Sequence, residues 1–457
     1  MSIEQDVGSW RELGRHTSTA VILAGGVLVG AVNIYVAASL LPTAIRDIGG
    51  EALYAWNMTA FLVAQVVATL LVGRFLSRYG GKGSYLIGFG VFAAGSVLCA
   101  VSPSMPVLLV GRGVQGLGAG LLTGLGFAMI HSALPQRLWG RGSALISAMF
   151  GVGNFAGPAL GGFFAQFGSW RSAFVVLAVV AAAMAAFVPW ALPRGERAGH
   201  TAPVPVVSLS LVVGAAGAVS VAGILADEVA MAAFIALGLA LVAAFLVVEK
   251  RAKTGVLPRS AYRPGSRLRW IYLTIMVLAS GVAVETFLPL FGQQLGGLPP
   301  AAAGFFAAAL SLGWSVSQIF SASVRRVGTV RRLVVAGPVC LAVGFALLGL
   351  LQNEDPPLPV VLAWLPVLFL GGAGIGIAMP HLSVAAMTSA PDADEGRKAA
   401  ASIATILTMS TAFGAAVAGL LVNLGAPSLV TSARWLLFGF AAISALGLLT
   451  ARQVTRD

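Results

Sequence analysis

The chain has 457 residues, 58% of them hydrophobic and only 10% charged, with a mean hydropathy of +0.92. A soluble globular domain carries about 25% charged residues, so this composition cannot cover an aqueous surface and excludes a water-soluble enzyme or binding module. The net charge of +12 would suggest nucleic acid as a partner of a soluble protein. Here nearly all the Lys and Arg fall in short loops between apolar runs, and no nucleic acid is expected.

In chain order, Ile3, Val7, Trp10 and Leu13 recur at helical spacing, and Ser2 with Gln5 is placed as a capping box. Residues 2–14 therefore read as a short helix on the membrane surface. The apolar run from Thr17 to Ile45 is too long for the core of a signal peptide. A helix needs about 20 mostly apolar residues to cross hydrocarbon. Spans are accordingly expected near 20–43, 54–74, 84–102, 106–132, 142–166, 170–192, 204–226 and 229–249. After a basic connection they resume near 270–292, 300–322, 333–352, 359–388, 399–423 and 433–451. The expectation is an all-α membrane protein of fourteen transmembrane helices.

With the N-terminus in the cytoplasm, 24 of the 28 Lys and Arg fall on the inner side. Arg46, Arg171 and Arg434 fall outside, and Arg112 lies within a span. Membrane insertion imposes this bias, which predicts a multi-pass inner-membrane protein with both termini cytoplasmic. An internal repeat is also visible. Gly73-Arg-Phe-Leu-Ser-Arg78-Tyr-Gly80 returns 248 residues later as Ser321-Ala-Ser-Val-Arg-Arg326-Val-Gly328, and Leu41-Pro42 returns as Leu288-Pro289 at an offset of 247. Two parallel six-helix halves meeting around a midplane site would produce such a period. The expected layout is a cytoplasmic segment 1–19, a first half 20–193, a two-helix insert 194–249, a basic connection 250–269 and a second half 270–457.

Three motifs carry a family resemblance over almost the whole chain. Gly73, Arg78, Gly80 and Lys82 form the loop between the second and third spans. Arg112-Gly-Val-Gln115-Gly116-Leu-Gly118 lies in the fourth, and Gly153-Asn154-Phe-Ala-Gly157-Pro158-Ala-Leu-Gly161-Gly162 in the fifth. In these the sequence resembles the fourteen-helix drug–proton antiporter branch of the major facilitator superfamily. The resemblance implies the major facilitator fold with two extra linker helices, and a proton-coupling role for Arg112. It also implies a fifth-helix hinge associated with export. Ser77 and Asn33 stand where that branch usually has acids.

Fifteen of the 16 acidic residues lie in tails, loops or span ends, and Glu285 lies inside the ninth span. An ionisable group at the bilayer centre costs at least ~2.5 kcal/mol, which makes it a functional candidate. Glu285 is therefore read as the proton-coupling group, with Arg112 tuning it. The bland alternatives are a carboxyl at the outer interface or one bonded to neighbouring hydroxyls and, for Arg112, a clamp on helix-end carbonyls. Asn33, Tyr35, Gln65, Gln115, Asn154, Gln293, Gln294, Trp314 and Gln318 are polar or aromatic residues within spans and read as a cavity lining. Each taken singly is more often a helix–helix packing residue. Cys99 and Cys340 sit in apolar segments as small thiols, His131 and His381 earn no role, and neither metal-ligand spacing nor a nucleophile–base pair is found. No metal, cofactor or enzymatic activity is expected.

These observations predict a monomeric secondary exporter in the lipid bilayer, moving small hydrophobic or amphipathic compounds by alternating access in exchange for protons. The rivals are a transporter of lipid-like substrates, an uncoupled facilitator and a non-transporting membrane scaffold. The orientation is directly testable in a variant lacking Cys99 and Cys340. A cysteine at Arg263 should be shielded from impermeant thiol reagents in intact cells, and cysteines at Asp227 or Asp355 should label. Labelling at Arg263 from outside would overturn both the span count and the layout.

Overall fold

The computed structural model describes residues 10–135, 138–192, 206–225, 227–251, 258–263, 265–324, 326–389 and 393–456. The capping box of the expected surface helix and the connections at 193–205 and 252–257 lie outside them. Among the described residues the chain is helical, with no strand. The helices are α1 (Trp10–Leu13), α2 (Thr17–Ile48), α3 (Trp56–Ala100), α4 (Met105–Ala128), α5 (Ile130–Ala133), α6 (Trp139–Phe167), α7 (Trp170–Ala191) and α8 (Val206–Ala222). They continue as α9 (Glu228–Arg251), α10 (Arg267–Ser280), α11 (Leu288–Gln294), α12 (Pro300–Ser321), α13 (Val327–Leu350), α14 (Leu358–Thr388), α15 (Ala393–Leu424) and α16 (Leu429–Thr455). Ten helical stretches of the described residues are long and apolar enough to cross a bilayer, and Val206–Ala222 and Met409–Leu424 are shorter apolar helices.

Contacts gather the chain into two units, Met1–Gly50 with Ala60–Val204, and Glu51–Thr59 with Pro205–Asp457. In the first, α2 packs on α4, α6 and α7. In the second, α14 packs on α12 and α13, α16 on α10 and α13, and α8 pairs with α9 and touches α15. The pair α8 and α9 thus falls in the second unit.

Two elements differ from expectation. The loop foreseen between the second and third spans is absent, because α3 runs from Trp56 to Ala100 with Gly80 as its one non-helical residue (φ 69°, ψ 177°). That backbone region is open almost only to glycine, so a single residue makes the joint. The ninth span is broken into α10, a 3-10 turn at Gly281–Thr286, and α11. Pro289 has no N–H to give the carbonyl of Glu285, which ends the regular ladder there.

Equivalent close contacts occur within each unit. In the first, a side chain at Gly116 would run into the carbonyl of Phe61, and one at Gly120 into that of Gln65. In the second, Gly372 bears in the same way on the carbonyl of Leu310, and Gly376 on that of Trp314. Helices approach this closely only where the Cβ is missing. Two arginines make equivalent contacts as well. Arg171, at the start of α7, donates to the carbonyl of Ser102 at 3.1 Å, pairs with Asp47 and lies 4.3 Å from the Trp170 ring. Arg434, near the start of α16, donates to the carbonyl of Gln352 at 2.8 Å. The first ties α7 to the link between α3 and α4, and the second ties α16 to the link between α13 and α14.

The Gly80 joint yields a measurable cost. Gly80→Ala should destabilise the detergent-solubilised protein by about 1–3 kcal/mol. Gly73→Ala, where a Cβ meets nothing within 4 Å, should be neutral or stabilise by about 0.5–1 kcal/mol. Equal unfolding midpoints for the two variants in a denaturing-detergent titration would contradict the joint.

Candidate functional site

The break in the ninth span carries Glu285. The side chain is 5% exposed, and its Oε1 accepts from the backbone N–H of Ser311 at 2.9 Å and from the Ser311 hydroxyl at 2.6 Å. Ser311 is itself buried, in α12. Two donors converging on one carboxylate oxygen lower the cost of placing it in apolar surroundings. Next along the chain, the carbonyl of Thr286 accepts from Tyr54 Oη at 3.1 Å, and the Tyr54 ring stacks on Phe287 with centroids 4.8 Å apart and planes at 23°. The two readings of Glu285 meet here, since the carboxyl is deeply buried and also bonded to a neighbouring hydroxyl.

Arg112 is fully buried in the first unit. Its Nη1 donates to Gln115 Oε1 at 2.7 Å, Gln115 Nε2 donates to Ser96 Oγ at 2.7 Å, and the guanidinium lies 4.3 Å from the centre of the Phe61 ring. Gln115 is thereby a partner of Arg112 and a tie between α4 and α3, rather than a side chain open to a ligand. Glu285 and Arg112 fall in different units.

The other expected lining residues divide. Asn33, on α2, is 0% exposed, and among the described residues neither its Oδ1 nor its Nδ2 has a hydrogen-bond partner. An unsatisfied buried amide costs about 1–3 kcal/mol, so its retention on an apolar helix calls for a use. Gln65 Oε1 is likewise buried and unpartnered. Trp314 Nε1 donates to Gln318 Oε1 at 2.7 Å one turn along α12, a pairing that satisfies both and leaves Gln318 exposed. Gln293 is buried on α11 and Tyr35 half-buried on α2. The Asn154 side chain lies outside the described residues. A surface groove of about 390 Å³ in the second unit, lined by Arg331, Arg332, Val335, Ala336, Val339 and Thr455, touches none of these.

The glycine motifs have direct structural counterparts. Gly153, Gly157 and Gly161 form one stripe of α6 seated on α2. A Cβ at Gly153 would meet Ala31 Cβ at 2.6 Å, one at Gly157 the Val32 carbonyl at 2.9 Å, and one at Gly161 the Val36 carbonyl at 2.7 Å. Pro158 lies within the helix beside them. Around the Gly80 joint, Ser77 Oγ donates to the Arg74 carbonyl at 2.9 Å, Arg78 lies 5.5 Å from the Tyr79 ring, and Lys82 Nζ donates to the Pro189 carbonyl at 2.6 Å.

Sequence reasoning missed two residues. Glu249 counted as a span end, yet it is 2% exposed, more enclosed than Glu285. It faces Tyr262, whose phenol is pushed up by burial and then by Glu249 and Tyr272. No signal in α9 marks this, because Tyr262 lies outside that helix. Tyr54 passed as the first residue of a span. Its bond to the chain at Thr286 joins positions far apart in sequence.

Long apolar helices seamed by glycines, with few ionisable groups among the described residues, are those of a polytopic membrane protein. The Major Facilitator Superfamily profile matches residues 23–419. A protein of Mycobacterium tuberculosis described as a "Probable multidrug-efflux transporter" is 46% identical over 458 residues, covering 98% of this chain and 97% of its own. "Multidrug resistance protein 3" of Bacillus subtilis is 24% identical, over 82% of this chain and 74% of its own. Among solved structures, an auto-inhibited POT family peptide transporter superposes with a TM-score of 0.69 at 17% identity, covering 96% of this chain and 97% of its own. The chain belongs to the Major Facilitator Superfamily, a family of membrane transporters and not of enzymes.

Asn33 supplies a test of use against packing. Asn33→Leu removes two unsatisfied atoms at similar volume and should stabilise the protein by about 1 kcal/mol while lowering transport. A variant that is less stable and transports normally would mean that Asn33 serves packing alone.

Proposed function

We propose that this transporter exports small hydrophobic or amphipathic compounds in exchange for protons, by alternating access, with Glu285 as the group that binds and releases the proton. The observation that carries this is the Glu285 carboxyl buried at a helix break and held by both donors of Ser311. A coupling group must interact differently with its surroundings in two conformations. A 3-10 turn between two helices is a joint at which small rotations change such contacts. The 46% identity to a relative described as a multidrug-efflux transporter supports the substrate class. A site with few charges recognises ligands through apolar and aromatic contacts, which gives broad specificity.

Arg112 is the second ionisable group of the proposal, a fixed positive charge that biases the proton site in one conformation. The α6 glycine stripe with Pro158 is proposed as the seam along which α6 moves on α2. The fourteen-helix branch is supported as follows. The ten long apolar stretches become fourteen passes when the one ending at Ala100 is read as two and α6, α8 and α15 are added. The basic loops then favour an inner membrane with both ends in the cytoplasm, and a monomer suffices.

Glu285→Gln keeps the shape and removes titration. In inverted vesicles it should abolish pH-gradient-driven accumulation of ethidium and of neutral lipophilic dyes, while downhill exchange stays within about twofold of the parent. Undiminished accumulation by Glu285→Gln would assign coupling to another group, and a parent that shows no gradient-driven accumulation would favour an uncoupled facilitator.

A further inference from the structure

Where a helix breaks inside hydrocarbon, the freed backbone groups must find partners in the protein. At the break carrying Glu285 that partner is a side chain, Tyr54, whose hydroxyl donates to the Thr286 carbonyl at 3.1 Å. The ring is 5% exposed and stacked on Phe287, so one tyrosine grips the turn at two successive residues. Such a stack adds attraction beyond that of burial. Thr286 is the residue after Glu285, so the grip acts one peptide unit from the carboxylate. On the other side Glu285 is held by Ser311 of α12. The position of the carboxyl is thus set between two fixed points, Tyr54 behind the turn and Ser311 before it.

Tyr54 belongs to the short segment Glu51–Thr59, which packs with the second unit although α3 continues into the first. The segment is well seated there. Trp56 Nε1 donates to the Ser220 carbonyl of α8 at 3.1 Å, and Asn423 Nδ2 of α15 donates to the Gly223 carbonyl at 2.6 Å, beside its contact with Ala52 at 3.4 Å. From Trp56 the chain is helical without interruption to Gly80. A helix transmits displacement along its axis, so a movement of α3 reaches Tyr54 directly.

We infer that Tyr54 is a positioning residue for Glu285: its hydroxyl on Thr286 and its ring on Phe287 hold the 3-10 turn that presents the carboxyl to Ser311, and movement of α3 withdraws that hold. The insert helix α8 takes part by seating Trp56. The inference rests on Glu285 as the proton-binding group, and it adds the residue through which helix movement would reach that group.

Infrared difference spectra between acid and neutral pH, on the full-length protein in lipid vesicles, test this without a known substrate. The carbonyl band of protonated Glu285 is the one lost in Glu285→Gln. Ser311→Ala removes a donor to Oε1 and should move that band to higher frequency. Tyr54→Phe keeps the ring and removes the hydroxyl; it should move the band in the same sense, by a smaller amount. Tyr85→Phe, a buried tyrosine of the first unit, should leave the band in place. Coincidence of the Tyr54→Phe and parent bands, with Ser311→Ala shifted, would refute the positioning role and leave the proton-binding reading intact. A shift in Tyr85→Phe as large as that in Tyr54→Phe would refute the positioning role equally. If Glu285→Gln removes no band at all, Glu285 does not titrate, and the proton-binding reading falls first.

Discussion

Hydrocarbon offers no partner to a peptide N–H or C=O, and each unsatisfied group there costs several kcal/mol. Nearly every feature of this chain answers that constraint. The described residues are helical almost throughout, because a helix satisfies its own backbone. Hydrophobic attraction between helices is then weak, since lipid is as apolar as leucine, and cohesion comes from close backbone approach. That is the work of the glycines of α4, α6 and α14, which let one helix rest on the carbonyls of another. The same contacts recur in each unit because the same packing problem is solved twice.

Departures from the ladder are few, and each has its own compensation. Gly80 changes the helix direction in one residue, in a conformation that side chains avoid. The turn at Gly281–Thr286 opens the backbone next to a carboxylate, and Tyr54 and Ser311 close it. A polar side chain at such a place serves both the backbone and the function, so the carboxyl that would move protons sits where the helix is least regular. Asn33 is the contrasting case, a buried amide without a partner among the described residues. Its burial costs the fold free energy that no hydrogen bond among those residues returns.

Arg112 shows how a motif residue acquires meaning from its neighbours. Alone it is a buried base that demands explanation. Bonded to Gln115, with Gln115 on Ser96 and Phe61 over the guanidinium, it also holds α4 against α3. The charge is thus held by contacts that lie within α3 and α4.

The amino-acid sequence by itself determined the class of the protein, because span length and scarcity of charge are properties of composition and order. It also marked Glu285, since a lone carboxylate within an apolar run is conspicuous, and the glycine stripe at Gly153, Gly157 and Gly161, since its spacing is that of one helix face. Only the tertiary structure decided what those residues touch. The break at Gly281–Thr286 was half legible in Gly281 and Pro289, whereas the clamp by Tyr54 was not, because hydrogen bonding between residues so distant in the chain leaves no local pattern. Glu249 looked like an ordinary helix end, yet it is buried and faces Tyr262, which lies outside its helix. Periodicity and hydropathy report what a segment needs from its surroundings; which partner meets the need depends on packing between segments, and that is set by the fold.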